Sequence, residues 1–149
     1  MISQSAKAGI EWLFEKAVRA NSVCEGDNCT LAKVATEMPP GKVSQQFVVL
    51  TISTYLFRIV ALFQFSDDAA TNEHMVRMTR SQVPDLDAQA LSDAYAELVN
   101  MVCGAVNRGL GVPFPHIGMS TPYMLESSCA SYASALEPQY LQRYEVAIN

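Results

Sequence analysis

The sequence predicts a single α+β domain spanning residues 1–149: a mostly antiparallel sheet packed against helices, with a long exposed-face helix at about 87–110. Three observations predict it. Half of the 149 residues are apolar and 17% are charged, a balance that suits one domain with a buried core and not a disordered chain. Phe47 to Phe65 is apolar almost throughout and rich in β-branched residues (Val48, Val49, Thr51, Ile52, Thr54, Ile59, Val60), which reads as two consecutive buried strands. Beyond Asp87, apolar residues recur at the spacing of an amphipathic helix.

The elements follow in order. Ile10, Leu13, Phe14, Ala17 and Val18 make one face of a helix from Ser3 to Ala20. Asn21 to Asn28, polar and containing Gly26 and Asp27, is a loop. Three strands are expected at about Thr30–Glu37, Val43–Thr51 and Leu56–Phe65. Pro39, Pro40 and Gly41 separate the first two, since proline blocks both helix and ladder hydrogen bonds. Between the second and third, Ser53 and Thr54 are polar, but no glycine marks a tight turn. Ser66 is placed to cap a second helix, Asp67 to about Arg80, with Asp67 and Asp68 at the positive end of its dipole. Ala69, His74, Met75 and Met78 form its inner face. Asp85 or Asp87 caps the third helix, and Gly109, Gly111, Pro113 and Pro115 end it. Met119–Met124 reads as a short strand and Tyr140–Ile148 as a last one; residues 127–136 carry no clear pattern.

Charge and cysteines narrow the function. A formal charge of −5, with Lys and Arg scattered rather than clustered, argues against nucleic acid. Lys7, Glu11, Glu15, Lys16 and Arg19 interrupt the first helix, so no signal peptide is expected. Arg58 and Gln64 break the apolar stretch at 47–65, so no membrane insertion is expected. Cys24, Cys29, Cys103 and Cys129 then read as free thiols of a cytoplasmic protein. The spacing of Cys24 and Cys29 suits a metal clip, but no second Cys or His pair complements it, and no metal site is expected.

The third helix carries the functional argument. At about 100° per residue, Leu91, Ala94, Tyr95, Leu98, Val102, Ala105 and Val106 gather on a core face. Nearly opposite lies a second stripe, Asp93, Glu97, Asn100, Gly104 and Asn107, in steps of four and three. Gly104 in mid-helix costs about 1 kcal/mol relative to Ala. A glycine there commonly marks close approach to the backbone. The stripe is a candidate docking surface, although exposed helix faces are ordinarily polar.

The segment Glu97-Leu98-Val99-Asn100-Met101-Val102-Cys103-Gly104 resembles the signature of the CheX/CheC chemotaxis phosphatases: Glu, two residues, Asn, an apolar pair, then Gly. Ser120-Thr121-Pro122 is similar to the Ser-x-Pro element of the CheX branch. The likeness covers roughly residues 45–125. Only one helix carries the Glu-x-x-Asn pattern, which favours the CheX over the CheC branch.

The resemblance implies a CheC/CheX-like fold and hydrolysis of the aspartyl phosphate of a response-regulator receiver domain in chemotaxis or two-component signalling. Asn100 would orient the attacking water, since an amide both donates and accepts hydrogen bonds without needing a particular protonation state. Glu97 would pair with the receiver's active-site lysine. Asp93, Gly104 and Asn107 would complete the partner-binding face. No cofactor of the chain's own is implied; Mg²⁺ is expected on the partner receiver. The resemblance also implies a homodimer joined through its sheets, a mode put in question by the short chain after Pro122.

Three other readings remain: a non-catalytic domain that binds a receiver or signalling protein, a thiol enzyme using Cys103 or Cys129, and a ligand pocket built on Trp12 and the methionines.

Overall fold

A computed structural model describes residues 1–35, 43–126 and 135–149, with the backbone alone at 43–46. Pro39–Gly41, Cys129 and most of the unassigned stretch at 127–136 lie outside the described residues. The order of elements is α1 (Gln4–Asn21), β1 (Cys29–Val34), β2 (Val43–Ser53), β3 (Arg58–Ser66), α2 (Ala69–Thr79), α3 (Ala88–Leu110), β4 (Gly118–Met119), β5 (Tyr123–Glu126) and β6 (Arg143–Ile148).

Side chains that satisfy otherwise orphaned backbone N–H groups set the helix starts. The Ser3 hydroxyl accepts from the Ala6 N–H at 3.1 Å, opening α1. The Asp87 carboxylate accepts from the Ala90 N–H at 2.8 Å, opening α3. In α2 the cap is Asp68, which accepts from the Thr71 N–H at 2.8 Å, and not Ser66. Ser66 pairs with Val43 at the end of the β2–β3 ladder, so its backbone belongs to the sheet. Ala69, expected on the inner face of α2, is exposed as its first residue, while Met75 is buried.

The principal sheet is antiparallel. On one side of β2 lies β3, from Ser53↔Arg58 to Val43↔Ser66; on the other lie β4 and β5. The apolar stretch at 47–65 is thus two paired strands, and among the described residues no helix is long and apolar enough to cross a membrane. The hairpin turn that lacks glycine is closed by Thr54 instead. Its hydroxyl accepts from the Leu56 and Phe57 N–H groups at 3.0 and 3.2 Å, and its own N–H donates to the Phe57 carbonyl.

One strand was expected at Met119–Met124; the structure has two, both on β2. Between them Ser120 reaches back to β2. Its N–H donates to the Thr51 carbonyl at 2.8 Å, and its hydroxyl accepts from the Thr51 N–H at 2.9 Å. Ser120 therefore fills a ladder position while Pro122, which has no N–H, sits at the break.

β1 and β6 form a separate two-stranded antiparallel ribbon, from Cys29↔Ile148 to Val34↔Arg143. The strand ending the chain thus extends no edge of the principal sheet. It clasps the strand that follows α1.

The core lies between the principal sheet and the helices. Val48, Leu50 and Ile52 of β2 meet Ala94, Tyr95, Leu98, Val99, Val102, Cys103, Val106 and Leu110 of α3, with Ala17 and Val18 of α1 and Met75 of α2. The buried arc of α3 is wider than its periodicity implied, because Val99 and Cys103 are also fully buried. The helix packs on the sheet and on α1 at once. Phe65 of β3 stacks on Tyr95 with ring centroids 3.9 Å apart. Gly109 is inside α3 and serves the contact with α1: a Cβ there would stand 2.5 Å from Leu13 Cδ2.

Candidate functional site

With one side of α3 against the sheet and another against α1, a narrow strip remains for solvent. Asp93 and Glu97 are exposed on it, and Asn100 is partly exposed one turn after Glu97. Asp93 accepts a hydrogen bond from Gln89 Nε2 at 2.9 Å, an intrahelical i,i+4 pair. Glu97 makes no hydrogen bond or ion pair among the described residues, so its carboxylate is available to a partner. The Asn100 amide is not among the buried polar groups and makes no hydrogen bond there either.

The far end of the stripe departs from expectation. Asn107 is half-buried, and its Oδ1 is out of solvent without a partner. The chain after α3 turns back on the helix here: the Phe114 N–H bonds to the Leu110 carbonyl, and β4 packs against α3. Asn107 is therefore not part of a freely exposed docking face. The outward strip continues instead through Met101, 37% exposed, Gly104 and Arg108. Met119 of β4, also 37% exposed, lies alongside. A Cβ on Gly104 would sit 3.6 Å from Arg108 Nη1 and 3.9 Å from Met119 Cε, both ordinary contacts. No described atom of the chain itself requires glycine at 104.

Sequence reasoning thus missed Met101, Arg108 and Met119. The signal for the first two was present, since 97, 101, 104 and 108 also step by four, three and four. The third needed the fold, because Met119 reaches the helix through the pairing of β4 with β2, Ile52↔Met119 and Ser53↔Gly118, continued by Ser120 on Thr51.

The strip carries carboxylates at its N-terminal half, an amide and a thioether at its middle, and a guanidinium at its C-terminal end. Among the described residues it presents no thiol, hydroxyl or imidazole, and no three metal-type donors converge on it. Cys103 lies under it, fully buried, and burial pushes its thiol up to about 12. A thiol that stays protonated at neutral pH is a poor nucleophile, so the thiol-enzyme reading fails for Cys103. The ligand-pocket reading keeps Trp12, which lines a shallow surface groove with Glu15, Lys16, Arg19 and Ala20, but among the described residues no methionine joins it there. Trp12 is 59% exposed on α1, with Lys16 Nζ 4.8 Å from its ring centroid. Among the described residues, three metal-type donors converge only at Cys24, Asp27 and His74, none of them on α3.

No family model matches the chain, and no curated protein matches it by sequence. Solved structures match it by fold. One is described as a CheC-like superfamily protein from Shewanella sp. PV-4, with a TM-score of 0.55 at 15% identity, covering 84% of this chain and 78% of that one. Another is the chemotaxis protein CheX from Vibrio vulnificus, with a TM-score of 0.53 at 13% identity, covering 95% of this chain and 97% of that one. Identities this low speak to architecture, and the architecture agrees across nearly the whole chain: three helices and an antiparallel sheet in the CheC/CheX-like fold.

Proposed function

We propose that this domain accelerates hydrolysis of the aspartyl phosphate on a response-regulator receiver domain in chemotaxis or two-component signalling, with Asn100 and Glu97 as its working pair. The reading rests above all on one observation: Glu97 and Asn100 stand one turn apart on the open strip of a rigid helix, and neither is engaged within the described chain. The CheC/CheX-like fold and the Glu-x-x-Asn, Gly and Ser-x-Pro elements support it.

In this reading α3 lies across the receiver's phosphorylation site. Glu97 pairs with the receiver's lysine and fixes the register of the two proteins. The Asn100 amide accepts a hydrogen bond from a water and donates one to the phosphoryl group, so that the water oxygen is aligned opposite the leaving carboxylate oxygen. The water oxygen–phosphorus bond forms as the acyl phosphate P–O bond breaks. Carboxylate and inorganic phosphate leave, and the water's proton passes to the phosphate product or to solvent. Mg²⁺ on the receiver supplies charge neutralisation. This chain contributes positioning and needs no cofactor of its own. Asp93, Gly104 and the neighbouring Met101 frame the contact.

The test is phosphate release from a phosphorylated receiver with saturating native protein. Asn100→Ala is expected to fold and bind as before and to lower turnover roughly 100-fold, the scale of a lost positioning contact. Glu97→Ala weakens binding, and exchanging the charges of Glu97 and the receiver lysine restores part of it. Binding with no acceleration by the native chain would leave a non-catalytic receiver-binding domain instead.

A further inference from the structure

The loop between α1 and β1 brings together side chains that the receiver contact does not use. Cys24 to Asp27 is a reverse turn: the Asp27 N–H donates to the Cys24 carbonyl at 3.1 Å, and Gly26 takes the positive φ of 89° that this turn needs. The turn folds the Asp27 carboxylate back toward Cys24, whose N–H donates to Oδ2 at 2.9 Å. α2 then supplies His74. Its Nε2 lies 2.8 Å from the Ser22 carbonyl, and this bond places the proton on Nε2. Nδ1 is then the acceptor, 3.2 Å from Arg77 Nη2 and 3.6 Å from Asp27 Oδ2. The thiol sulfur, a carboxylate oxygen and an imidazole nitrogen all lie within 4.8 Å of one another. The Asp27 side chain is 7% exposed and that of His74 14%.

We propose that Cys24, Asp27 and His74 form a zinc site, with water as the fourth ligand. A sulfur, nitrogen and oxygen donor set suits a borderline cation such as Zn²⁺ better than Mg²⁺ or Ca²⁺. Tetrahedral zinc with bonds of about 2.0–2.3 Å places its ligands roughly 3.3–3.8 Å apart, which the His74–Asp27 pair already meets. The Cys24 sulfur, within 4.8 Å of both, has to close in, and Arg77 has to leave. The Ser22 carbonyl that orients the imidazole is the outer partner metal-bound histidines usually have. The Asp27 carboxylate is held in place by the Cys24 N–H as well as by Arg77.

Arg77 is the competitor. Its Nη1 and Nη2 donate to Asp27 at 3.0 and 3.3 Å, and Nη2 lies 3.2 Å from His74 Nδ1. The guanidinium thus puts a positive charge where the metal would be. At 47% exposure it has room to swing outward, still protonated. On binding, zinc sheds water, the Cys24 S–H bond breaks with its proton going to solvent, and a Zn–S bond forms. There is no change of oxidation state.

The site is tested on the full, reduced chain by titrating Zn²⁺ against a chromogenic chelator, with Co²⁺ as a spectroscopic probe. The expected result is one Zn²⁺ per chain and a thiolate-to-cobalt charge-transfer band. Cys24→Ser and His74→Ala should each weaken affinity at least tenfold, Cys29→Ser should leave it unchanged, and Arg77→Gln should tighten it. In the unmodified chain, Zn²⁺ should shield Cys24 but not Cys29 from alkylation, which requires no variant to fold. Absence of stoichiometric binding, binding indifferent to Cys24→Ser, or shielding of Cys29 in place of Cys24 overturns the assignment. Weaker binding in Arg77→Gln overturns the exchange with Arg77.

Discussion

Gly104→Ala separates what this helix needs for itself from what it offers a partner. An alanine in place of a mid-helix glycine gains about 0.8–1 kcal/mol from backbone entropy. The new methyl group would meet Arg108 Nη1 at 3.6 Å and Met119 Cε at 3.9 Å, so no overpacking offsets that gain among the described residues. The free protein should therefore become more stable by about 0.5–1 kcal/mol, seen as a higher urea midpoint at unchanged m-value and a melting temperature raised by roughly 2–4 °C. If a receiver backbone approaches this notch as proposed, the same methyl is an intrusion of the kind that costs about 1–3 kcal/mol. Receiver affinity should then fall about fivefold or more. Equilibrium unfolding and binding to a phosphoryl-mimic-loaded receiver read the two effects independently. A destabilised variant would refute the packing argument. A stabilised variant with unaltered binding and turnover would remove Gly104 from the docking surface.

Gly109→Ala is the matched contrast. Its Cβ would lie 2.5 Å from Leu13 Cδ2, so the helix gain is spent on repacking and the net change should be a loss of up to about 2 kcal/mol by denaturant unfolding. Ser120→Ala strips the Thr51 N–H of its acceptor in the part-buried ladder and should cost about 1–3 kcal/mol, whereas Ser120→Thr should recover part of it. Cys103 gives a pH signature. Its folded thiol stays protonated up to about 12, against an ordinary value of 9.0. Above pH 9 the unfolded chain therefore binds fewer protons than the folded one, and stability falls as pH rises toward 12. The Cys103 contribution approaches about 1.4 kcal/mol per pH unit, and Cys103→Ala should flatten the slope between pH 9 and 11 in urea titrations at each pH.

α3 was legible in the sequence because its signals agree: a long apolar period, an aspartate at the cap and glycines near the end. Its exposed strip was legible to within a quarter turn. The burial of Asn107 Oδ1 could not be foreseen, because a helical projection contains no neighbours and the chain after Leu110 folds back on that end. Val99 and Cys103 were missed from the core for the converse reason, since a helix gripped by a sheet and by α1 buries a wider arc than one gripped from one side. Ser66, Asp67 and Asp68 could each cap a helix; what excluded Ser66 was its pairing with Val43. The β2–β3 turn lacked a recognisable motif because a threonine hydroxyl performs the closure usually given to glycine. The Cys24–Asp27–His74 cluster was missed because the sequence offers Cys29 as the mate of Cys24 and no second Cys or His pair beside them. Its third donor arrives from a helix far along the chain.

The β1–β6 ribbon bears on how the molecule is made. During synthesis β1 emerges well before its hydrogen-bonding mate, which is incomplete until translation has passed Ile148. A nascent chain therefore carries an open strand, Cys29 to Val34, throughout the time the helices and principal sheet can assemble. Such an edge invites pairing with the wrong neighbour. The ribbon cannot close before β6 is made, and removing Arg143 to Ile148 should favour aggregation even where the helical core is intact.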